Sequence, residues 1–583
     1  MRPFALLLLS YLSFMRCTRY STFAAALLLW QPGLPLLAAD TAPATNASSF
    51  PVHVSVDAGT IIGPMRPTWR FFGADEPNYA YLKNGKKLLG ELGELAPGEV
   101  YFRAHNLLNS GDGTPALKWG STGAYREDAA GKAEYNWTIL DRIFDAYHDA
   151  GVKPYVEIGF VPKEFSTHPD PYQHGFTATG RGTIFTGWSY PPKDYAKWEE
   201  LVYQWTRHNL DRYGAAELAT WYWETWNEPN IGYWHGTREE FLKLHDFAIA
   251  GVRRAFPTAR VGGPDVTGSG GAFTRAFLDH CLRGTNYATG RIGTPIDFVS
   301  FHAKGGNPSL TNGHVRMAMA SQLRTIAEGF SIVASFPELK DKPIVIGESD
   351  PDSCAACLGP AYIEYRNGTV YSSYTAASFA REHDLADRAG INFRGALTWA
   401  FEFEDQPYFT GFRALTTEGI DLPVLNVFRM MSRMTGLRVK AESDGAQSIE
   451  TVLARGVSGQ PDVGVLASLD GKRLCVFLWH YHDENAPGPA AEVTINLAGL
   501  PPGGGSATLV EYRVDADHSN AFTVWQKMGQ PQPPSPPQIA QLEAAGHLQT
   551  IGDSRTLKLE SGKADIRVEL PRQGVSLLQL DLK

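Results

Sequence analysis

Residues 221–230 read Trp-Tyr-Trp-Glu-Thr-Trp-Asn-Glu-Pro-Asn, a short apolar run that ends abruptly in a polar turn. Pro229 stops a strand, because proline has no backbone N–H to donate to a neighbouring strand. The run therefore predicts a buried strand with Glu228 at its C-terminal end. An acid in an ordinary exposed turn does not need three tryptophans just before it, so this stretch indicates a functional site.

The same pattern recurs between about residues 66 and 435. Short apolar runs end in polar turns and are followed by stretches of helical length. The apolar runs are Trp69–Gly73, Val100–Ala104, Tyr155–Ile158, Trp221–Trp226, Arg260–Gly262, Phe298–Phe301, Ile344–Ile346 and Ala396–Phe401. The clearest predicted helices are Thr138–Ala150, Asp194–Tyr213, Arg238–Phe256, Val315–Phe336 and Ser373–Ala389. Eight strand–helix units predict an α/β protein with a closed (β/α)8 TIM barrel. An open doubly wound sheet is the alternative, but no G-x-G-x-x-G turn follows the first run.

The C-terminal part of the chain has a different pattern, in which apolar and polar residues alternate. Examples are Leu474–Leu478, Ala490–Leu497 and Val575–Leu580, which predict strands of an accessory antiparallel β-sandwich. Pro51–Ile62 also predicts a strand. We therefore expect four segments: a signal peptide at 1–39, an N-terminal strand segment at 40–65 that joins the sandwich, the catalytic barrel at 66–435, and the sandwich at 436–583.

The N-terminal segment has the features of a secretory signal. Residues 1–39 contain three arginines, no acidic residue and two apolar runs, and they end in small residues before Asp40. Translation could begin at Met1 or Met15. No later stretch reaches 18 apolar residues, so we expect an exported protein, periplasmic or extracellular, without a membrane span after cleavage.

Composition and cysteine spacing narrow the functional classes further. The 583 residues include 53 Lys+Arg and 62 Asp+Glu, a net charge of −9, so there is no basic excess to bind nucleic acid or anionic membranes. Cys354-Ala-Ala-Cys357 could form a disulfide in an exported protein, or alternatively a redox pair. A zinc ribbon would need a second ligand pair, which the sequence lacks.

A second carboxylate follows another buried strand, in the stretch Lys342–Asp350, where Ile-Val-Ile-Gly precedes Glu348. Two carboxylates at the same barrel mouth are the machinery of glycoside hydrolysis. Tryptophans around Glu228 should exclude water and raise the pKa of its carboxyl, so that it can donate a proton. Asp350 and Asp352 are nearby alternative candidates for the second carboxylate, but we expect them to shape the loop after this strand.

Other strand ends bring further polar residues to the same face. Arg103 and His105 follow the second run, Glu157 lies in the third, and His302 ends the sixth. Two histidines beside two glutamates suggest recognition of sugar hydroxyls. His105, His302, Glu228 and Glu348 could in principle ligate zinc, but no H-E-x-x-H spacing is present, so we predict no metal and no cofactor.

Together these segments resemble glycoside hydrolase family 39, and in particular its bacterial β-xylosidases, over nearly the whole mature chain. The motifs that support the resemblance are Phe102–Asn106, Val156–Pro162, Trp226–Asn230 with the following Tyr233–Thr237, Val261–Pro264, Phe301–Ala303 and Gly419–Pro423. The sequence departs from the family at Gly347–Asp352, where Thr-Glu-Phe-Asn is common, and at Lys304, where tyrosine is common.

The resemblance implies that Glu228 is the acid/base and Glu348 the nucleophile. The residues that it implies for substrate binding are His105, Asn227, Trp234, His302, Trp399 as the floor of the glycone pocket, and Glu404 and Asp405, with Glu402 as an alternative to the last two.

We therefore expect an exo-acting β-xylosidase that hydrolyses xylo-oligosaccharides with retention, with its carboxyl groups roughly 5–5.5 Å apart. The alternatives are an α-L-iduronidase-like enzyme, an α-L-arabinopyranosidase, an endo-acting hydrolase, or a carbohydrate-binding protein without activity. A uronidase needs basic groups in its pocket, which Lys304 and Arg103 could supply. The sequence does not indicate an oligomeric state.

Overall fold

The computed structural model describes residues 49–180, 182–501 and 505–583. The secretory signal predicted at residues 1–39 lies outside the described residues, so it stays a prediction. Every helix in the described part of the chain is too short or too polar to span a lipid bilayer.

The secondary structure alternates between strands and helices up to about residue 431 and then consists mainly of strands. The strands are β1 Phe50–Pro64, β2 Phe71–Ala74, β3 Tyr101–Ala104, β4 Tyr125–Glu127, β5 Ala133–Tyr135, β6 Lys153–Ile158, β7 Tyr222–Thr225, β8 Arg260–Val266, β9 Phe298–His302, β10 Ser309–Thr311, β11 His314–Arg316, β12 Ile344–Glu348, β13 Phe393–Trp399, β14 Thr416–Thr417, β15 Ile420–Asp421, β16 Leu437–Ser443, β17 Asp462–Asp470, β18 Arg473–Tyr481, β19 Ala491–Ala498, β20 Ser506–Val514, β21 Gln549–Thr550, β22 Arg555–Lys558, β23 Ala564–Leu570 and β24 Val575–Leu582. The α-helices are α1 Lys83–Leu95, α2 Thr138–Asp149, α3 Tyr195–Tyr213, α4 Ala215–Leu218, α5 Arg238–Ala255, α6 Ala272–Arg283, α7 Met319–Ala334, α8 Pro360–Asn367, α9 Thr369–Ala389, α10 Pro423–Met431, α11 Ile449–Arg455, α12 Ala521–Lys527 and α13 Pro536–Gly546.

Eight parallel strands close into a barrel in the order β2, β3, β6, β7, β8, β9, β12, β13, and β13 pairs with β2. The predicted (β/α)8 TIM barrel is confirmed. Each of the eight predicted apolar runs overlaps one of these strands. All residues of β7 and β12 are buried, as expected for parallel strands that are covered on both faces.

The helices on either side of β7 begin at well-defined caps. The side chain of Asp194 accepts hydrogen bonds from the first turn of α3, and Thr237 forms a capping box with Glu240 at the start of α5. Trp198 and Trp205 are fully buried on α3, on the predicted apolar stripe. These helices hold β7, and therefore Glu228, in a fixed position.

One predicted helix begins later than expected. The helix predicted at Val315–Phe336 begins at Met319, because residues 314–316 form β11 and pair with β10 in a hairpin. Val315 is buried and belongs to this hairpin. An apolar residue ahead of a helix does not by itself distinguish the helix from a strand.

The accessory domain is an antiparallel sheet, as predicted, except that β1 runs parallel to β19. Its ten strands form one hydrogen-bonded sheet, not two separate ones. Val568 near one end and Leu509 near the other share a single apolar core, so the sheet folds over itself. β1 pairs with β16 and β19, while the domain boundaries at residues 66 and 436 stay predictions.

Candidate active site

Glu228 and Glu348 both lie at the C-terminal mouth of the barrel. Glu348 is the last residue of β12, and Glu228 follows the end of β7 in a turn whose backbone φ is +45°. The Glu228 N–H donates to the carbonyl of Asp265, 2.9 Å away. Gly347 is needed before Glu348, because a Cβ at residue 347 would lie 1.9 Å from a carboxylate oxygen of Asp265.

The two glutamates face one another across a shared pair of cationic side chains. One carboxylate oxygen of each lies within 4.8 Å of the other. His302 Nδ1 is 2.9 Å from Glu228 Oε1 and 3.5 Å from Glu348 Oε1. Lys304 Nζ is 3.3 Å from Glu228 and contacts Glu348 directly. This arrangement brings both candidate catalytic carboxylates to one point.

The point of convergence opens into a cavity of about 560 Å³, a volume typical of small-molecule sites. Its lining includes Glu228, Glu348, Asp75, Lys118, Tyr233, Lys304, Trp399 and Arg413. Both glutamates are largely buried. The cavity therefore combines two acids, three cations and aromatic surface in a place that is mostly shielded from water.

The cations control the ionisation of both glutamates. Burial by itself raises the pKa of Glu228, but Lys304 and His302 outweigh it and lower the pKa to about 2. The expectation that the pKa of Glu228 is raised is wrong for this state, since it considered only burial. Burial likewise opposes ionisation of Glu348, yet His302 and Lys304 hold its pKa well below the usual range.

His302 is itself held in its charged form. Burial lowers its pKa, but Asp265 and Glu348 raise it to about 10. Its Nε2 lies 2.7 Å from Asp265, so the imidazolium donates on both sides. A charged His302 stabilises an ionised Glu348, which is the form required for nucleophilic attack.

Two further predicted residues contact Glu348. The indole N–H of Trp399 donates to Glu348 Oε2 at 2.9 Å, and Trp399 lines the cavity. His105 Nε2 lies 3.4 Å from Glu348, although it accepts a hydrogen bond from Arg103 at 2.8 Å. The remaining proton of a neutral His105 is therefore on Nδ1, which faces Asp75 at 3.2 Å.

Asn227 is held by Arg103 and is not among the residues that line the cavity. Arg103 is fully buried, donates to Asn227 Oδ1 at 3.1 Å, and forms ion pairs with Glu157, Glu224 and Asp265. Asn227 Nδ2 is buried and has no hydrogen-bond partner among the described residues. Arg103 does not line the cavity, so it cannot supply the basic pocket group considered from the sequence.

Trp399 lines the cavity, and His105 and His302 contact the glutamates that line it, but three other predicted substrate-binding residues are held elsewhere. Trp234 packs edge-on against Trp226 and donates its indole N–H to the backbone, while its neighbour Tyr233 lines the cavity instead. Glu404 accepts from the first N–H groups of α1, and Asp405 is exposed. The alternative, Glu402, accepts a backbone N–H from Gly419.

Asp350 and Asp352 shape the loop that follows β12, as expected. Arg413 lies 2.6 Å from Asp350, and Arg366 donates to Asp352 at 2.9 Å. Cys354 and Cys357 form a disulfide in the same loop, and Cys354 lines the cavity. Arg413 reaches the cavity from a loop beyond β13, where the sequence offered no strand-end pattern to identify it.

Glu228, His302 and Glu348 are close enough together to hold a metal ion. However, the ammonium group of Lys304 contacts both carboxylates. The chain thus provides its own cation at the position that a metal would occupy.

A model of glycosyl hydrolases family 39 matches residues 52–551. A β-xylosidase of Geobacillus stearothermophilus is 26% identical over 505 residues, which is 83% of this chain and 86% of that protein. An α-L-iduronidase of Mus musculus is 27% identical over 546 residues, 86% of this chain and 76% of that protein.

Two solved structures show the same fold. A bacterial orthologue of human α-L-iduronidase has a TM-score of 0.71 at 20% identity, covering 92% of this chain and 84% of that one. A monomeric β-xylosidase from Caulobacter crescentus has a TM-score of 0.69 at 22% identity, covering 91% and 99%.

Proposed function

This chain belongs to glycosyl hydrolases family 39, and we propose that it is a retaining, exo-acting glycosidase whose preferred terminal sugar bears a carboxylate. The family makes it a glycoside hydrolase. The stereochemical course and the substrate are our proposal, and Lys304 at the catalytic pair is the observation on which the choice of substrate rests.

The separation of the two glutamates supports retention. Their nearest oxygens lie within 4.8 Å of one another, which fits the roughly 5–5.5 Å between carboxyl groups in retaining enzymes better than the roughly 6.5–9.5 Å in inverting ones. Glu348 would attack the anomeric carbon while Glu228 protonates the departing oxygen. Glu228 would then deprotonate the water that releases the sugar from Glu348.

The candidate substrates differ at a single ring carbon. β-D-Xylosides, β-D-glucuronides and α-L-iduronides share their configuration from C1 to C4. At C5 they carry, respectively, no substituent, a carboxylate in one orientation and a carboxylate in the other. A pocket that holds one of them therefore holds the common part of all three, and the residues near C5 decide among them.

Lys304 is the residue that favours a carboxylate at C5. Burial lowers its pKa, but Glu228 and Glu348 raise it, so it remains an ammonium ion inside the cavity. A neutral pentose has no group that pairs with a buried cation, whereas a uronide does. Arg413 provides a second cation in the same cavity.

A carboxylate substrate also offers a way to protonate Glu228. Lys304 is 3.3 Å from Glu228 and keeps its pKa low. If the substrate carboxylate draws Lys304 away, the pKa of Glu228 rises, because burial then acts with less opposition. Binding of the correct substrate would thus prepare the general acid.

Hydrolysis of β-D-xylosides is the second candidate. β-Xylosidases and α-L-iduronidases are similar to this chain at nearly the same identity, 26% and 27%. In addition, Lys304 is already neutralised by Glu228 and Glu348, so a neutral sugar would not face an unpaired charge.

The test is hydrolysis of four 4-nitrophenyl glycosides: the α-L-iduronide, the β-D-glucuronide, the β-D-xyloside and the α-L-arabinopyranoside. We expect the highest kcat/KM on one of the two uronides. Lys304→Met should lower that value by at least about 10-fold, the loss expected for a hydrogen bond to a charged group, and leave xyloside hydrolysis less affected.

Lys163→Met is the matched control, since Lys163 pairs with Asp170 outside the cavity. It should leave all four values unchanged. A preference of the wild-type enzyme for the xyloside would replace the uronide proposal with the second candidate.

We further propose that the protein is exported. The secretory pattern of residues 1–39 supports this, as does the Cys354–Cys357 disulfide, which suits an oxidising compartment. N-terminal sequencing of protein recovered from the periplasm or medium should give a mature chain that begins near Asp40. An intact N-terminus on protein confined to the cytoplasm would contradict export.

A further inference from the structure

Lys118 has an unusual backbone conformation that several neighbours hold in place. Its φ is +57°, which is rare for a residue with a long side chain. Its N–H donates to Glu76 Oε1 at 2.5 Å, and its carbonyl lies 2.7 Å from His174 Nε2. The next residue, Trp119, is buried between Tyr172 and His174. Strain that the surroundings maintain in this way often marks a functional position.

The result of this conformation is that the Lys118 ammonium group lies inside the active-site cavity against Asp75. Asp75 is fixed on its other side by the Nδ1–H of His105, at 3.2 Å. The opposite nitrogen of the same imidazole lies 3.4 Å from Glu348. A single histidine ring therefore separates the Asp75–Lys118 pair from the nucleophile.

The chemistry of this pair differs from that of Lys304. Lys304 contacts both Glu228 and Glu348, whereas Lys118 and Asp75 contact one another. They present an acceptor beside a donor, which matches two neighbouring hydroxyl groups of a sugar. Burial, together with repulsion from Lys304 and Arg413, lowers the pKa of Lys118 to about 8, so the donor is still mostly charged at neutral pH.

We propose that Asp75 and Lys118 bind the 3- and 4-hydroxyls of the terminal sugar and are specificity-determining residues of this enzyme. This inference rests on the proposed glycosidase function. It does not depend on which substrate is preferred, because xylosides, glucuronides and iduronides share these two hydroxyls.

The experiment compares the 4-nitrophenyl glycoside that the wild-type enzyme hydrolyses best with its 3-deoxy and 4-deoxy analogues. Lys118→Met should lower kcat/KM on the parent compound by about 10- to 100-fold, the range for a hydrogen bond to a charged group. On at least one deoxy analogue the same substitution should cost less than about 3-fold, because the interaction is already absent. Asp75→Asn should give the same pattern.

Lys118→Arg, which keeps the charge, should retain most of the discrimination against the deoxy analogues. The surface variant Lys163→Met should behave as wild type. Equal losses on the parent and both analogues would overturn the proposal and assign Lys118 a structural role only. A wild-type enzyme that prefers a xyloside would refute the uronide preference while leaving this comparison valid.

Discussion

Lys304 contacts both Glu228 and Glu348, the proposed catalytic pair, and its charge lowers the pKa of each. Replacing it with methionine removes an opposite charge from Glu228 and Glu348, so the pKa of each carboxyl rises. In the proposed mechanism Glu348 must be ionised to attack the anomeric carbon. The fall of kcat/KM at low pH, its acid limb, reports that ionisation. In Lys304→Met the acid limb for the β-D-xyloside should move up by about 1 to 3 pH units. An acid limb at the same pH as in the wild-type enzyme would show that Lys304 does not lower the pKa of Glu348.

Glu348 and Glu228 should respond differently to removal and rescue. Glu348→Ala should lower kcat by about 10⁴- to 10⁶-fold, as expected when a covalent nucleophile is removed. Azide should restore turnover and give a glycosyl azide of inverted configuration. In Glu228→Ala, azide should instead attack the glycosyl enzyme and give the retained product. Chromatography with NMR distinguishes the two azides, and a reversal would exchange the assigned roles.

Buried Glu76 makes stability depend on pH. Burial raises its pKa to about 8, so the folded protein keeps a proton that the unfolded chain loses above about pH 4.5. The stabilisation is complete at lower pH and is lost as the pH rises towards 8. Glu76→Gln should lose less thermal stability between pH 5 and 8 than wild type. If the melting temperatures of the two proteins changed equally with pH over this range, the pKa of Glu76 would not be raised in the folded protein.

At the residue level, the local sequence pattern was sufficient to identify some residues of the site but not others. Glu348 ends a buried strand and Glu228 lies in the turn that follows another, and the geometry of a barrel brings such strand ends together. Lys118 and Arg413 reach the cavity from loops, so no strand pattern identifies them. The pKa of Glu228 depends on Lys304, 76 positions along the chain, and local sequence around Glu228 contains no sign of it.

At the level of elements, the loop after β12 is held by Arg366 more than by its disulfide. Arg366 donates to the carbonyls of Ala355 and Cys357 and to Asp352. Arg366→Met removes the closer of the two arginines that pair with buried Asp352, the other being Arg413 at 3.4 Å, and should cost about 3–5 kcal/mol of stability. Cys354→Ser opens a very short loop and should cost about 2 kcal/mol or less. Urea unfolding measures the free energy of unfolding of both variants. A larger loss for Cys354→Ser than for Arg366→Met would contradict this prediction.

Strands and helices were predictable where the apolar pattern of the sequence and its turn or cap signals indicated the same segment. The barrel strands are apolar runs that end at polar turns, whereas α1 was not among the clear helices because Gly85, Gly90 and Gly93 lower its helix propensity. A Cβ at Gly85 would lie 2.0 Å from the carbonyl of Tyr79, and one at Gly93 would lie 1.9 Å from that of Ala150. Close packing against these backbones requires glycine there, and sequence alone does not reveal the packing.

At the scale of the whole molecule, the accessory sheet is part of the barrel's support. Leu474, Val476 and Leu478 on β18 face the core of the sheet, while Phe477 and Trp479 on the other face join the core of the barrel. Arg381 of α9 also pairs with Asp462 of β17 at 2.7 Å. Both faces of β18 are therefore buried.

We accordingly expect the chain from Asp40 to Lys583 to unfold in one calorimetric transition. A fragment of residues 66–435 should not be recovered folded, because it would expose the barrel surface that Phe477 and Trp479 cover. Two well-separated transitions, or a soluble fragment with native near-ultraviolet circular dichroism, would show that the two parts are independent.

In the proposed mechanism, Glu348 forms a covalent bond to the sugar while Glu228 transfers the proton. A 2-deoxy-2-fluoro glycoside with a good leaving group tests it most directly, because fluorine slows release of the glycosyl enzyme. Peptide mass spectrometry of the inactivated protein should place one sugar on the carboxyl of Glu348. Turnover without any covalent adduct, or an adduct on Glu228, Asp350 or Asp352, would show that Glu348 is not the nucleophile.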